Sequence, residues 1–174
     1  MFVPFDSLPS NARLWIYQSH RPLNPAEEAY LMSTLQSFCE QWKAHGQDLK
    51  TSFCIKHHHF VILAVDQNYN DTSGCSIDGS VRILKSLQQE SLPGGQADGI
   101  NFFDRSRIAF LIHNEIKIFS LQELKHLFSS GRLMGSSLTF DNLVAVKSDF
   151  EKAWLITADK TWLVKYLPKP AVSQ

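Results

Sequence analysis

The sequence contains little cysteine. Its 174 residues include three cysteines, Cys39, Cys54 and Cys75. This number and spacing form neither a disulfide framework nor the paired cysteines of a zinc site. Apolar residues make up 44% of the chain and charged residues 20%, close to the globular average, so a folded soluble protein is expected. No metal and no cofactor is predicted.

An excess of one charge and a long apolar run are also missing. Lys and Arg together number 17, as do Asp and Glu, and the halves divided after Leu87 carry 7 basic and 8 acidic residues, then 10 and 9. This balance predicts that the protein binds neither nucleic acid nor an anionic membrane surface. No apolar run reaches the ~20 residues of a membrane span, and Met1–Asp6 lacks the pattern of a signal peptide. We therefore expect a cytoplasmic protein.

The hydrophobic patterns predict an α+β fold. Strands and helices alternate in the order β-α-β-β-α-β, which is typical of a ferredoxin-like core with an antiparallel sheet and helices on one face. The predicted elements are a strand over Ala12–Ser19, a helix from Asn24-Pro25 to Gly46, strands over Thr51–Ile55 and Phe60–Val65, a helix from Ser73 or Ser76 to about Glu90, and a strand over Arg107–Ile112.

The last third of the chain is predicted to be a small α/β extension. We expect residues 1–119 to form the core domain and residues 120–174 to pack on it. Ser120 and Glu123 are typical of a capping box at the start of a short helix. A short strand is predicted near Leu143–Val146, and the final segment is expected to dock through Trp162, Val164 and Leu167.

The segment Ser73-Gly74-Cys75-Ser76-Ile77-Asp78-Gly79-Ser80 is the best candidate for a functional site. It lies between an apolar strand and a predicted helix, where free backbone N–H groups and the helix dipole favour an anion or a thiolate. Cys75 and Asp78 are therefore candidate catalytic residues, and Gly74, Ser76 and Gly79 are candidate ligand-binding residues. The alternative is ordinary helix capping with a buried thiol.

The same segment has the spacing G-x-x-x-x-G-S, which lacks the chemistry of a phosphate-binding ATPase loop. That loop requires G-x-x-x-x-G-K followed by Ser or Thr, because the Lys reaches the phosphates and the hydroxyl binds magnesium. Here Ser80 and Val81 stand at those positions. ATP hydrolysis is therefore not expected.

Two further polar segments lie near predicted strand ends. Arg21 follows the first strand and is a candidate ligand for a carboxylate or phosphate, since ligands bind at strand ends and Arg binds such groups with two hydrogen bonds. The alternative, which we favour, is a solvated turn in which Arg21 stacks on a Tyr or Trp ring. The run His57-His58-His59 lies between two strands. Without a third ligand it predicts a polar turn rather than a metal site.

Several segments carry a resemblance to known proteins. They are Trp15–Ser19 with Arg21-Pro22, Gln41-Trp42 with Ala44–Gly46 and Leu49-Lys50, Ser73–Asp78, Phe103–Arg105, and Asn142–Val144. With these segments the chain resembles, over nearly its whole length, a family of small bacterial proteins whose members often carry the name "ABC transporter ATPase", and the block Ser73–Asp78 is the most specific part. Because no activity is established for that family, the resemblance supplies no catalytic residues.

Two functions are compatible with these patterns. The first is a binding or adaptor-type protein that holds a small anion or a protein partner at Gly74–Asp78. The second is a Cys-dependent enzyme with Cys75 as nucleophile and Asp78 or a His as the orienting group. We favour the first, because no complete catalytic constellation is visible in the sequence.

Overall fold

The computed structural model describes residues 1–70, 74–90, 94 and 99–168, and for residues 74–76 the backbone alone. The chain forms two compact units. Unit 1 comprises Met1–Asp104 and Asn142–Glu151, and unit 2 comprises Arg105–Asp141 and Lys152–Gln174. Both contain helices and antiparallel strands, which confirms the α+β class. The domain boundary predicted at residue 119 falls inside unit 2.

Unit 1 is built on a three-stranded antiparallel sheet with the strand order β1-β5-β4. Strand β5 is central and its six residues are all buried, as its continuous apolar sequence predicts. The elements of unit 1 are β1 (Arg13–Gln18), α1 (Pro25–Gln41), the short hairpin β2 (Lys43–Ala44) and β3 (Gln47–Asp48), β4 (Thr51–Lys56), β5 (Phe60–Val65), α2 (Gly74–Gln89) and a 3-10 helix at Phe5–Ser7.

The core of unit 1 lies between this sheet and helices α1 and α2. Trp15 and Tyr17 both pack against the core, since alternate residues of a strand share a face. Helix α1 begins as predicted, with a capping box formed by Asn24 and Glu27. The buried core side chains include Leu31, Leu35, Cys39 and Trp42 after the start of α1, Val61, Leu63 and Val65 of β5, and Leu84 and Leu87 of α2.

The complete ferredoxin-like order is not confirmed. Elements β1, α1, β4, β5 and α2 follow one another along the chain as predicted. The predicted closing strand Arg107–Ile112 pairs in another sheet. The edge of β1 instead receives a short segment from later in unit 1. Leu14 N donates to Ala145 O at 2.8 Å, and Arg13 forms an isolated antiparallel bridge with Val146.

Helix α1 ends earlier than predicted. It stops at Gln41 because Trp42 has extended backbone angles, φ −69° and ψ 122°. The chain then forms the β2–β3 hairpin, in which His45 and Gly46 occupy the turn with φ values of 50° and 78°. A positive φ occurs at helix ends and in tight hairpins. Gly46 therefore fits both, and the predicted helix end at this residue is wrong.

Unit 2 contains a four-stranded antiparallel sheet with the strand order β7-β6-β8-β9. Phe110 of β6 and three residues of α3 form its core together with Leu163. The elements are β6 (Arg107–Ile112), β7 (Glu115–Ser120), α3 (Leu121–Ser129), β8 (Leu138–Phe140), β9 (Leu155–Thr157) and 3-10 helices at Ala158–Lys160 and Trp162–Tyr166, and helix α4 (Lys147–Ala153) spans the boundary between the two units.

The predicted capping box of α3 is present. Glu123 accepts hydrogen bonds from both the backbone N (2.9 Å) and the Oγ (2.6 Å) of Ser120. The predicted strand near Leu143–Val146 is reduced to an isolated bridge between Val146 and Arg13, and the nearest regular strand, β8, lies at Leu138–Phe140.

The predicted docking residues of the final segment are only partly right. Leu163 is buried with 1% exposure, whereas Trp162 and Val164 are 43% and 54% exposed. In a 3-10 helix, residues three apart share a face. Leu163 and Tyr166 therefore face the core, and Leu167 also packs there as predicted.

We expect Ser52→Ala to raise the free energy of unfolding by about 1 kcal/mol. Ser52 Oγ is buried and has no hydrogen-bond partner among the described residues, so removing the hydroxyl relieves its desolvation. The neighbouring Thr51 Oγ1 donates to Cys39 O at 2.6 Å, and Thr51→Val should instead lower the free energy by about 1 kcal/mol. Urea denaturation measures both changes, and a loss of stability in Ser52→Ala would contradict this interpretation.

Candidate functional site

Residues 74–80 of the candidate segment form the start of helix α2, and Ser73 lies outside the described residues. Helix α2 begins at Gly74, so the backbones of Gly74, Cys75 and Ser76 form its first turn, and their side chains lie outside the described residues. Ser76 is therefore not the N-cap. Asp78 is exposed and lies after the first turn of α2.

Gly79 and Ser80, which follow Asp78, lie where helix α2 packs on the rest of unit 1. A Cβ on Gly79 would lie 3.8 Å from Trp42 Nε1, so the helix passes close to the indole ring. Ser80 is fully buried, and its Oγ donates to Ile77 O at 2.6 Å and lies 3.1 Å from Tyr17 Oη. Gly79 thus faces Trp42 at a distance that leaves room for a Cβ.

The contact between Ser80 and Tyr17 also affects the acidity of the tyrosine hydroxyl. Burial raises the pKa of Tyr17, and the hydrogen bond with Ser80 opposes this effect. Because Ser80 Oγ is buried and bonded, it is not presented to a nucleotide. Its surroundings agree with the absence of an ATPase motif.

The two thiols that the structure describes are poor nucleophiles. Cys39 is buried in the core, and burial raises its pKa to about 12. Cys54 is half-buried, and burial likewise raises its pKa to about 12. A thiolate is the reactive form of cysteine, so neither residue reacts readily at neutral pH.

Arg21 binds a carboxylate with two hydrogen bonds, as predicted for such a residue, but the carboxylate belongs to Glu27. Arg21 Nη1 and Nη2 donate to Glu27 Oε2 and Oε1 at 2.9 and 2.8 Å. Its Nε donates to Gly99 O at 2.9 Å, Nη2 also donates to Gly99 O, and Nη1 donates to Pro22 O at 3.1 Å. With five donor hydrogens on a guanidinium, these contacts favour a structural role over ligand binding.

The Arg21–Glu27 pair connects the end of β1 with the start of α1. Side-chain exposure is 9% for Arg21 and 0% for Glu27. Glu27 Oε2 also accepts a hydrogen bond from Asn24 N at 3.0 Å as part of the capping box. His20 belongs to the same region, where its Nδ1 accepts from Asn101 N at 3.0 Å.

The histidine run forms the turn between β4 and β5, as predicted. His57 and His58 both have positive φ, 52° and 55°, as a type I′ turn requires. His59 is buried and its Nδ1 lies 2.8 Å from His57 O, while His58 Nδ1 lies 2.6 Å from Glu28 Oε2. Burial lowers the pKa of both His57 and His59.

The described residues contain neither a cluster of metal-ligating side chains nor a membrane-spanning helix. None of their His, Cys, Asp and Glu side chains form a group of three or more suited to a metal ion. Their helices are also too short or too polar to cross a bilayer.

Comparisons with known proteins gave no relative. No protein-family model matches the chain, and neither the curated proteins nor the solved structures contain a match. The resemblance to the bacterial family therefore stays a prediction, and the function has to be argued from the residues themselves.

Sequence reasoning missed Glu27 as the partner of Arg21 and Tyr17 as the partner of Ser80. The first pair is six residues apart and lies around a chain reversal, so Arg21-Pro22 followed by the cap at Asn24 was the available signal. The second pair is 63 residues apart. No local pattern connects it, because its contact depends on how α2 packs on the sheet.

Proposed function

We propose that the protein is a binding protein of the adaptor type, which holds a small anion or a protein partner at the start of α2, residues Gly74–Asp78. The observation that supports this is the attachment of α2 to Trp42 and Tyr17 immediately after its first turn. The first N–H groups of a helix lack intrahelical acceptors and lie at the positive end of its dipole. A helix held firmly at this point keeps those donors in a constant direction.

The described polar groups favour binding over catalysis. The Arg21 guanidinium is satisfied by Glu27 and by backbone carbonyls, and the thiols of Cys39 and Cys54 are protonated at neutral pH. These groups therefore stabilise the fold and supply no reactive base or nucleophile.

Orthophosphate is the probe for the anion. We expect backbone amide NMR signals of Gly74–Asp78 to shift when phosphate is titrated into the full chain. Asp78→Asn should tighten phosphate binding by about two- to fivefold, because an exposed negative charge close to the helix start is removed.

Glu90→Gln is the matched control for this titration. It makes the same charge change just after the other end of α2, where Glu90 accepts a hydrogen bond from Tyr30. It should leave the phosphate affinity unchanged. Equal effects of the two substitutions, or no amide shifts at residues 74–78, would refute an anion site at the helix start and leave a protein partner to be sought by cross-linking.

The position of Cys75 supports the Cys-dependent enzyme as a second candidate. Its backbone lies in the first turn of α2, where a thiolate is stabilised and the pKa falls below the ~8.5 of free cysteine. We expect iodoacetamide at neutral pH to alkylate Cys75 faster than Cys39 or Cys54, as measured by peptide mass spectrometry. If Cys75 reacts no faster than these two buried thiols, the enzyme candidate is eliminated.

A further inference from the structure

The two units of this electrically neutral chain carry opposite net charges. Unit 1 contains eight Lys and Arg residues and 13 Asp and Glu residues, a net charge of −5. Unit 2 contains nine Lys and Arg residues and four Asp and Glu residues, a net charge of +5. The two units therefore differ strongly in net charge, whereas the halves divided after Leu87 are each close to neutral.

The basic residues of unit 2 are presented to solvent. All eight that the structure describes are exposed, whereas in unit 1 Arg21 and Lys147 are buried and bonded internally. Acidic residues of unit 2 are engaged locally, since Glu115 pairs with Lys117, Glu123 caps α3 and Asp159 accepts a hydrogen bond from Thr157 Oγ1. The exposed basic residues are Arg105, Arg107, Lys117, Lys125, Arg132, Lys152, Lys160 and Lys165.

An aromatic pair lies among these charges. Trp162 and Tyr166 have ring centroids 6.1 Å apart, and Lys165 Nζ lies 4.9 Å from the Trp162 ring and 5.2 Å from the Tyr166 ring. Trp162 is 43% exposed because Leu163, rather than Trp162, packs into the core. Lys160 lies two residues before Trp162, so one short segment carries two exposed lysines and a partly exposed indole ring.

We propose that Lys160–Tyr166, which we call the Trp162 segment, binds single-stranded nucleic acid. A base stacks on the exposed Trp162 ring, and Lys160 and Lys165 bind the phosphates on either side of it. Lys165 leaves the aromatic rings at little cost, because an exposed cation–π contact is weak. The remaining exposed basic residues of unit 2 attract the polyanion over a longer range.

The aromatic pair favours a single strand over an acidic protein. An acidic peptide is attracted by the lysines but offers a flat ring only where it carries an aromatic side chain. A single strand offers a base that can stack at every nucleotide. Bases in a duplex are already stacked on each other, so duplex DNA would use only the lysines.

Fluorescence anisotropy of a labelled oligothymidine of about twenty nucleotides tests the proposal on the full chain. Binding is expected at about 50 mM salt and should weaken steeply towards about 200 mM. Trp162→Ala should weaken binding about tenfold, while Trp162→Phe retains most of it. Lys160→Gln with Lys165→Gln should reduce the slope of log affinity against log salt by about 0.7 for each lysine removed.

Lys56→Gln with Lys85→Gln is the matched control, because it removes two exposed lysines from acidic unit 1. This control should change the affinity less than about twofold. The proposal is overturned if the oligonucleotide does not bind at low salt, or if the control weakens binding as much as the Lys160 and Lys165 substitutions. It is also overturned if Trp162→Ala binds normally while polyglutamate displaces the oligonucleotide, which would identify a surface for acidic proteins.

Discussion

Glu27→Gln is expected to lower the free energy of unfolding by about 3–5 kcal/mol, because it breaks a buried ion pair. The substitution keeps the shape of the side chain but leaves the Arg21 guanidinium buried without its negative partner. The carbonyl oxygens of Gly99 and Pro22 still accept from Arg21. They bear only partial charges and do not replace a carboxylate. Urea denaturation followed by far-UV circular dichroism measures the change.

The neighbouring Glu28 gives a control in the same helical turn. Its side chain pairs with His58, whose side chain is 71% exposed. Surface pairs of this kind contribute about 0–1 kcal/mol, so Glu28→Gln should change stability by less than 1 kcal/mol. A loss in Glu27→Gln no larger than the loss in Glu28→Gln would show that Arg21 does not depend on its buried partner.

Trp42→Ala should also destabilise the protein by about 3–5 kcal/mol, as removal of a buried Trp does in a packed core. Trp42 is 4% exposed, and its ring packs 4.8 Å from Phe38 and 5.9 Å from Trp15 between ring centroids. It also contacts α2 at Gly79. The substitution therefore opens a cavity where α1, α2 and β1 meet.

Trp162→Ala makes the same chemical change at an exposed site in unit 2. Because 43% of Trp162 is already in solvent, this variant should lose less than about 1 kcal/mol. Urea denaturation of both variants gives the comparison. An unfolding midpoint of Trp42→Ala close to that of the parent would mean that Trp42 is not the packing centre the structure indicates.

Parts of the candidate site were predictable because they depend on neighbouring residues. The start of α2 after an apolar strand follows from the order of apolar and small residues between Phe60 and Ser80. The hydrogen bond between Ser80 and Tyr17 and the position of Gly79 beside Trp42 could not be predicted from the sequence. Both depend on residues from β1 or the end of α1 that are far away in the chain.

The sequence by itself determined the local elements of this protein. Asn24 and Glu27 start α1, Ser120 and Glu123 start α3, and the apolar run Phe60–Val65 forms the central strand. Each of these features depends on hydrogen bonds or burial patterns within a few residues, so residues that are close together in the sequence determine it.

Only the tertiary structure decided which residues share a surface. The chain passes between the two units after Asp104, Asp141 and Glu151. A cut after Asp104 alone gives net charges of −4 and +4, but the position of that cut and the residues that belong to each unit follow from packing. The exposure of Trp162 likewise depends on a 3-10 helix that turns Leu163 inward, and not on the apolar character that the two residues share. Burial and charge density are properties of neighbours in space, and long-range packing selects those neighbours.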